Sequence, residues 1–491
     1  MSSTMSRRAM LRGAASLIGA LGATALLSAC GSSTPAAKPA ETKPAEAAKP
    51  AAPAAQPAAT TAPAKPAEAA KPAEAAKPAA AAPAVSKKIG GELRLHLRTG
   101  PEEDTMKAVL PKFTEDTGIN VKVETFPTDE YFVKVSTLMA GGTAGDVMWS
   151  IYRNTPRWAN NKVIADLDEL VANDKFDLSQ YYPSGIDAAK YQGKLYALPF
   201  KLHPGPTALY YNANMVKDAG VTMPDKQFAS WEDLIKTAKT LTKDGRWGFQ
   251  INLTPNTTNT LQSVNMYLRS WGTDIYSEDG KKSQLNDPKA KEAISFIYKL
   301  MHEDKVAVTA KDFTASGEDL MIAGRVAMLQ ASSSTKSITT KLAGKFEVKN
   351  LLMPNGPGGT YGTQAITDQI VMNAKTQNKP AAWELVKLLC GKDVGIRLGG
   401  GTGGIASGTT GGRIDVVNDP AIMANPLHPV FLDLLKNAVA PRLPANLREE
   451  EVATAFHQTL TPVFLGERKP DDAFFTELHT AVQRVLDQPI A

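Results

Sequence analysis

Histidine and cysteine, the side chains that most often hold metals or act as nucleophiles, are few and scattered in this chain. It contains six histidines and two cysteines, Cys30 and Cys390. The histidines are His96, His203, His302, His428, His457 and His479. None of them pairs at a metal-ligand spacing, and no short segment joins histidine, cysteine and carboxylate. The sequence therefore predicts no catalytic group, no metal site and no cofactor, and Cys390 is expected to be a buried structural thiol.

One glycine-rich segment has the spacing of a dinucleotide-binding fingerprint. Gly399, Gly401 and Gly404 fit the pattern G-x-G-x-x-G. In that fingerprint the glycines follow a strand and open a helix whose N-terminus holds a pyrophosphate. Here they follow a helical pattern and open no amphipathic helix, so we interpret residues 399–404 as a flexible loop.

Charge and composition argue against a nucleic-acid-binding protein and a membrane-spanning protein. The chain has 55 Lys and Arg against 50 Asp and Glu, a formal net charge of +5 over 491 residues. No stripe of basic residues interleaved with aromatics is present, so nucleic acid is not an expected partner. After residue 30 no apolar run is long enough to span a bilayer. The length allows two or three domains.

The first thirty residues have the pattern of an export signal. Ser6–Arg12 resembles a twin-arginine signal, and the apolar run Leu17–Leu27 is too short for a stable membrane span. Leu27–Cys30 resembles a bacterial lipobox, in which the cysteine is lipidated. We expect residues 1–30 to be a lipoprotein signal and Cys30 to anchor the protein on the outer face of the cytoplasmic membrane. The alternative is an ordinary secretory signal with an incidental cysteine.

Residues 31–88 are predicted to be a disordered tether. The hexad Lys-Pro-Ala-Glu-Ala-Ala recurs from Lys43, Lys65 and Lys71. Proline in every hexad interrupts helix formation, and no large apolar side chain offsets the entropy of ordering. Such a segment is extended and semi-rigid, and it gives reach through a cell-wall layer.

The folded part begins with alternating strand and helix patterns. Strand Glu92–Leu97 precedes a helical pattern ended by Gly118, strand Ile119–Thr125 follows, and a helix from Thr128 leads to strand Asp146–Trp149. This alternation predicts an α/β fold with a parallel sheet.

Several segments resemble one protein family. They are GKLYALPF and ALYYNANMVKDAGV within and after Tyr191–Asn212, Trp231–Leu234, and Gly324–Met328. Together they are similar to the extracellular solute-binding proteins of ABC importers, in the branch that includes maltose-binding protein, over about residues 90–490. The resemblance implies a type II periplasmic-binding-protein fold, with two α/β lobes, a hinge and a central cleft.

The resemblance also implies lobe boundaries. Residues 89–200 and 366–428 would form the N-terminal lobe, and residues 201–365 and 429–491 the C-terminal lobe. The hinge crossings would lie at Pro199–Thr207 and Gly362–Ile366, with a third near Pro426–Phe431.

The function implied is capture of a sugar or oligosaccharide in the cleft by a monomer, followed by delivery to a membrane permease. Four basic residues, Arg98, Arg153, Lys201 and Arg269, leave an anionic solute open, such as a uronate or a glycerol phosphodiester. A sensor subunit and an extracellular enzyme acting on polysaccharide are further alternatives, although no carboxylate pair recommends the enzyme.

The family's cleft loops select the candidate ligand-binding residues. They are Arg98, Trp149, Tyr152 and Arg153 in the first lobe, His203 and Gln364 in the hinge, and Asn252, Trp271, Ser332 and Ser333 in the second lobe. Trp149 and Trp271 are expected to stack on a sugar from opposite lobes, and burial in the lobe cores is the alternative for each. Serine at positions 332 and 333, where maltose binders carry an aromatic residue, favours a more polar ligand.

Overall fold

The computed structural model describes residues 88–243, 245–253, 257–312, 316–332, 345–400 and 410–491. The predicted signal with Cys30, nearly all of the predicted tether, Ser333, and Gly401 and Gly404 of the glycine-rich segment lie outside these ranges. None of the helices in the described ranges combines the length and the apolar character needed to cross a membrane.

The described strands and helices alternate through most of the chain. The strands are β1 (Gly91–Arg98), β2 (Ile119–Phe126), β3 (Val147–Ile151), β4 (Lys190–Tyr191), β5 (Lys194–Leu195), β6 (Ala197–Pro204), β7 (Ala208–Asn212), β8 (Trp247–Gln250), β9 (Val326–Ala331), β10 (Val348–Leu352), β11 (Ala365–Met372) and β12 (Thr410–Gly411). The helices up to residue 322 are α1 (Pro101–Thr117), α2 (Thr128–Ala140), α3 (Thr155–Asn160), α4 (Asp168–Asp174), α5 (Pro183–Asp187), α6 (Ala213–Asp218), α7 (Trp231–Leu241), α8 (Thr257–Ser270), α9 (Pro288–Tyr298) and α10 (Gly317–Ile322). The later helices are α11 (Lys379–Leu389), α12 (Lys392–Leu398), α13 (Ile414–Val417), α14 (Pro420–Met423), α15 (His428–Lys436), α16 (Glu449–Phe464) and α17 (Asp472–Leu486).

The first sheet has the strand order β12-β6-β11-β3-β1-β2. Strand β1 is parallel to β2 and β3, as the strand and helix alternation predicts. Strand β11 is antiparallel to both β3 and β6, so the sheet as a whole is mixed. Leu93, Leu95 and Leu97 of β1 are buried in its core. Gly118 ends α1 in the left-handed conformation, with φ of 75°, which glycine adopts without a Cβ penalty.

The second sheet has the order β10-β7-β9-β8, and helices α7, α8, α9, α16 and α17 contribute to its main core. At the start of α7 the Ser230 hydroxyl oxygen accepts from the Asp233 backbone N–H and donates to the Asp233 carboxylate. This cap satisfies a backbone donor that the helix leaves unpaired. The apolar face of α7, made of Trp231, Leu234, Ala238 and Leu241, is buried.

Two crossings between the sheets lie side by side. Strand β6 stays in the first sheet as far as Pro204, and β7 of the second sheet begins at Ala208. The Gly205 N–H donates to the Gln364 carbonyl oxygen at 2.8 Å, and the Thr207 and Thr363 hydroxyls are 3.2 Å apart. His203, predicted to lie in a hinge loop, is instead part of β6 opposite Ile366. Helix α15 packs against β6, β7 and β10, and therefore touches both sheets.

Candidate functional site

A cavity of about 380 Å³ lies between the ends of the two sheets. On the first side it is lined by Arg98, Lys201, His203, Gly205, Pro206, Ile366 and Asp368. On the second side it is lined by Asn252, Asn259, Gln262, Ser263, Glu318, Ala331 and Ser332. Its lining contains no phenylalanine, tyrosine or tryptophan among the described residues. Amides, hydroxyls and charged groups therefore dominate its walls.

Strand topology explains how these side chains meet. Arg98 is the last residue of β1, and Asp368 pairs in register with Lys201 of β6 and Ile151 of β3. On the other side Asn252 follows β8 and Ser332 follows β9, and these two strands are parallel. Parallel neighbours end at the same edge of a sheet, so Asn252 and Ser332 reach one wall of the cavity.

Two cations and two anions form a buried cluster at the first wall. Lys201 Nζ lies 2.8 Å from Asp368 Oδ2 and also contacts Glu102 Oε1. Arg98 Nη2 lies 2.7 Å from Glu102 Oε1 and 3.4 Å from Asp368 Oδ2. Only 1% of the Lys201 side chain is exposed. Because burying an unpaired charge is costly, this arrangement holds each charge against an opposite one.

The electrostatics of this cluster fix its protonation. Burial alone would raise the pKa of Asp368, but the positive charges of Lys201 and Arg98 outweigh it and lower the pKa to about 2. Burial likewise opposes ionisation of Glu102, and Lys201 and Arg98 again lower its pKa. Both carboxylates are therefore ionised acceptors at neutral pH.

His203 completes this wall as a neutral ring. Burial lowers the pKa of its imidazole, so the neutral form prevails at pH 7. Its Nδ1 lies 3.1 Å from the Pro204 carbonyl oxygen. A neutral ring that donates from Nδ1 keeps Nε2 as a hydrogen-bond acceptor.

The second wall contains an unsatisfied hydroxyl. Ser263 on α8 is fully buried, lines the cavity, and its Oγ has no hydrogen-bond partner among the described residues. Buried polar groups in folded proteins are nearly always paired. A ligand hydroxyl in the cavity would provide the missing partner.

Four predicted site residues line the cavity, and the two tryptophans do not. Arg98, His203, Asn252 and Ser332 are brought together there. Trp149 on β3 is 2% exposed and packs against Tyr131 and Phe132. The Arg98 guanidinium carbon lies 4.8 Å from the centre of its ring, a cation–π contact. Trp149 thus supports a residue of the cavity wall.

Trp271 lies in the core of the second lobe. It is 7% exposed and packs against Trp231, Tyr267 and Phe296. For both tryptophans the structure favours the alternative of core burial over stacking on a ligand. The sequence alone does not distinguish a tryptophan that faces the cleft from one that faces the core of its own lobe. Tryptophans of both kinds occur at similar positions near the ends of strands or helices.

Tyr152, Arg153 and Gln364, the other predicted residues that the structure describes, are absent from the cavity lining. The Tyr152 hydroxyl accepts a hydrogen bond from Gln262 Nε2 at 2.8 Å. Arg153 follows Tyr152, and its Nε is buried without a partner among the described residues. Gln364 is 5% exposed and lies at the crossing next to Gly205. Ser333 lies outside the described residues.

Several cavity residues are absent from the candidate ligand-binding residues, although Lys201 was considered for an anionic solute. They are Lys201, Asp368, Asn259, Gln262, Ser263 and Glu318, together with Glu102 behind them. The sequence offered a signal for two of them, because Lys201 and Asp368 each place a charged side chain inside a mostly buried strand. A charged residue inside a buried strand needs a partner and often marks a site. No comparable signal distinguishes Gln262 or Ser263 within α8.

No group of three or more histidine, cysteine or acidic side chains in the described ranges has the arrangement of a metal site. Cys390 is a buried free thiol, 2% exposed, and burial raises its pKa well above the ordinary value. A thiol held protonated in this way is a poor nucleophile.

The family model of bacterial extracellular solute-binding proteins matches residues 99–395, and the chain belongs to this family. The family predicted from the hinge and strand motifs is thereby confirmed. The family comprises extracytoplasmic solute-binding proteins, not enzymes.

Individual relatives have low sequence identity to this chain, but the similarity extends over most of its length. A binding protein of Brucella abortus (strain 2308) is 26% identical over 391 residues, which are 78% of this chain and 90% of that protein. The erythritol/L-threitol-binding protein of Mycolicibacterium smegmatis is 24% identical over 334 residues, 62% of this chain and 68% of that protein.

A solved structure confirms the fold. The ABC substrate-binding protein from Listeria monocytogenes in complex with cycloalternan superposes with a TM-score of 0.69 at 20% identity. The match covers 80% of this chain and 98% of that chain. The predicted type II periplasmic-binding-protein fold is therefore correct.

Proposed function

We propose that this protein is the extracytoplasmic substrate-binding component of an ABC importer and captures a small neutral sugar or polyol in the cavity between its lobes. The main observation in support is the lining of the cavity, which consists largely of amides, hydroxyls and paired charges. It includes the Ser263 hydroxyl, which has no hydrogen-bond partner among the described residues. A polyhydroxylated solute both donates and accepts at every hydroxyl, so amide and hydroxyl side chains match it.

Cavity size favours a small ligand. Ligand sites in proteins span roughly 300–1,000 Å³, and this cavity of about 380 Å³ is near the lower end. The Mycolicibacterium smegmatis relative is named as an erythritol/L-threitol-binding protein. Among the described residues the lining has no tryptophan, tyrosine or phenylalanine, the flat apolar faces that suit the C–H surfaces of linked sugar rings. The small volume of the cavity and its described lining both favour a monosaccharide or an acyclic polyol over an oligosaccharide.

Charge balance disfavours the anionic alternative. Arg98 and Lys201 are already paired with Glu102 and Asp368, and Glu318 adds a further carboxylate to the lining. A uronate or phosphodiester would have to compete with these buried partners and would meet repulsion from Glu318.

The two carboxyl groups of the charged first wall do not suit the general acid of a glycosidase. General acid catalysis by a carboxyl group needs a raised pKa, whereas those of Glu102 and Asp368 are lowered by the adjacent cations. A binding role is therefore better supported than hydrolysis of polysaccharide.

Transport would follow from closure of the lobes. The cavity takes residues from both sheets, and the chain crosses at Gly205–Thr207 and again near Thr363–Gln364. A solute that contacts both lobes binds more tightly when they are closed, and this difference in affinity shifts the population toward the closed form. A permease that docks the closed form would then receive the solute.

The N-terminal residues would anchor this monomer outside the cell membrane. The lipobox ending at Cys30 and the repeats of residues 31–88 support lipidation followed by a tether. Cys30→Ala should release the protein from membranes while export continues. Retention of this variant in the membrane fraction would contradict the lipid anchor.

Calorimetric titration tests the ligand class. Erythritol, ribitol, glucose, maltose, glucuronate and a glycerol phosphodiester form a panel, and the matched variants are Ser263→Ala and Ser230→Ala. We expect binding of a neutral small member, weakened by Ser263→Ala and unchanged by Ser230→Ala at the distant cap of α7. Binding only of the two anions would replace the neutral-ligand proposal, and release of reducing ends from a polysaccharide would indicate an enzyme.

A further inference from the structure

The side chain of Gln262 joins the cavity to the opposite lobe. It belongs to α8 of the second lobe and lines the cavity. Its Nε2 donates to the hydroxyl of Tyr152, which follows β3 of the first lobe, at 2.8 Å. Tyr152 is 2% exposed and does not line the cavity. The tyrosine therefore acts on the cavity through the glutamine.

Tyr152 has a fixed position in the first lobe. Its backbone N–H donates to the Thr367 carbonyl oxygen at 3.1 Å, so it continues the contact of β3 with β11. The adjacent residue of β11 is Asp368, a member of the charged wall. Burial raises the pKa of the Tyr152 hydroxyl to about 12, so the group remains neutral and accepts a hydrogen bond at physiological pH.

A glutamine amide can turn over and exchange its donor and acceptor faces. The neutral Tyr152 hydroxyl both donates and accepts, so it pairs with either face of the amide, and the bond holds the amide in place at the cavity wall. The amide groups that do not contact Tyr152 then remain for a solute hydroxyl. Because the bond also joins the lobes, the amide is held in this place when they are together.

We propose that Tyr152 is a positioning residue for solute binding: it orients the Gln262 amide toward the cavity across the interface between the lobes. This inference rests on the proposed function, because it assigns Gln262 a contact with the hydroxylated solute. It also changes the role expected for Tyr152 from a ligand contact to a residue that acts through another.

A double-mutant cycle in the full-length chain tests this role. Affinities for erythritol, ribitol, glucose and maltose are measured calorimetrically for the wild type, Tyr152→Phe, Gln262→Ala and the double variant. Tyr152→Phe keeps the buried ring and removes only the hydroxyl. We expect it to weaken binding about 3- to 10-fold in the wild-type background, the range of one neutral hydrogen bond, and less than about 2-fold in the Gln262→Ala background.

A matched control separates orientation from general loss of a buried hydroxyl. Tyr181 is a buried tyrosine whose hydroxyl donates to the Cys390 carbonyl oxygen at 2.9 Å, away from the cavity. Tyr181→Phe should leave the affinities unchanged, and melting temperatures of all variants establish that each is folded.

The outcomes separate the two proposals. Equal weakening by Tyr152→Phe in both backgrounds, or no weakening in the wild-type background, would overturn the positioning role and leave the solute-binding proposal standing. Full affinity in Gln262→Ala would overturn it as well. If the folded wild type binds none of the four solutes, the proposed ligand class fails and the positioning role fails with it.

Discussion

Lys201 Nζ lies 2.8 Å from Asp368 Oδ2, with the lysine side chain 1% exposed and the aspartate side chain 10% exposed. The two residues face each other in register on adjacent antiparallel strands, β6 and β11. The pair borders both the core of the first lobe and the cavity, so it affects stability and solute binding alike.

Lys201→Met should strongly destabilise the protein. It leaves the carboxylates of Glu102 and Asp368 buried with Arg98 as their remaining cation. Removal of one partner from a buried ion pair typically costs about 3–5 kcal/mol. Urea unfolding of the variant would measure this loss.

Lys112→Met is the matched control, because Lys112 forms an ion pair with Asp116 on the exposed surface of α1. Its effect on the free energy of unfolding should be far smaller. Equal stability of Lys201→Met and the wild type would show that the cluster is not an energetic unit.

Acid should unfold the protein partly through Asp368. The pKa is about 2 in the folded chain and about 3.9 in an unfolded one. A carboxyl group with a depressed folded pKa contributes stability above the unfolded value, and this contribution is lost as the pH falls toward 2. We expect the free energy of unfolding to fall by about 2–3 kcal/mol from this group between pH 5 and pH 2. Asp368→Asn should make the free energy of unfolding depend less steeply on pH, as measured by urea unfolding at each pH. An unaltered pH dependence would contradict the lowered pKa of Asp368.

Glu449 should destabilise the fold at high pH. It is buried at the start of α16, and its Oε2 accepts a hydrogen bond from the Tyr276 hydroxyl at 2.6 Å. Burial raises its pKa to about 7, although Tyr276 and Arg153 act in the opposite direction and Asp274 and Glu450 reinforce it.

The sign follows from proton uptake. Between about pH 4.3 and 7 the folded chain holds a proton that the unfolded chain has released, so stability falls as the pH rises through this window. Glu449→Gln removes this pH dependence. The free energy of unfolding of the variant, relative to that of the wild type, should therefore rise by roughly 2–4 kcal/mol between pH 4 and pH 8. Glu450→Gln is the control for loss of an acidic residue at the same helix end. A constant difference between Glu449→Gln and wild type across this range would refute the buried acid.

Trp271→Ala should destabilise the second lobe without changing the affinity of the folded protein. The indole packs among Trp231, Tyr267 and Phe296, and truncating a buried tryptophan costs about 3–5 kcal/mol. Thermal melting without ligand measures the first effect, and titration of the folded variant measures the second. A normal melting temperature with weakened binding would instead restore the role of Trp271 as a ligand contact.

Local patterns predicted the elements well where the signal lies within one segment. The apolar positions of β1, the cap of α7 at Ser230 and the end of α1 at Gly118 depend on residues a few positions apart. The parallel arrangement of β1, β2 and β3 also follows, because the intervening helices are long enough to return the chain to the same edge. The family motifs extended this reading to the two-lobed fold.

The positions of individual side chains were harder to predict from the sequence. Arg98, His203, Asn252 and Ser332 were expected at the cavity from their positions at strand ends or the hinge, and the structure brings them together there. Trp149 and Trp271 were expected there by the same reasoning, and they face the cores. A strand end specifies a location, whereas the direction of a side chain depends on what packs around it.

By itself, the sequence determined the alternation of strands and helices and the membership of a solute-binding family, because both depend on residues close together in the chain. Only the tertiary structure decided that Lys201 neutralises Asp368, that Tyr152 contacts Gln262, and that Trp149 and Trp271 pack in the lobe cores. These relationships depend on strand register and on the meeting of two lobes. Residues far apart in the chain acquire them only when the whole fold brings their side chains within hydrogen-bonding distance.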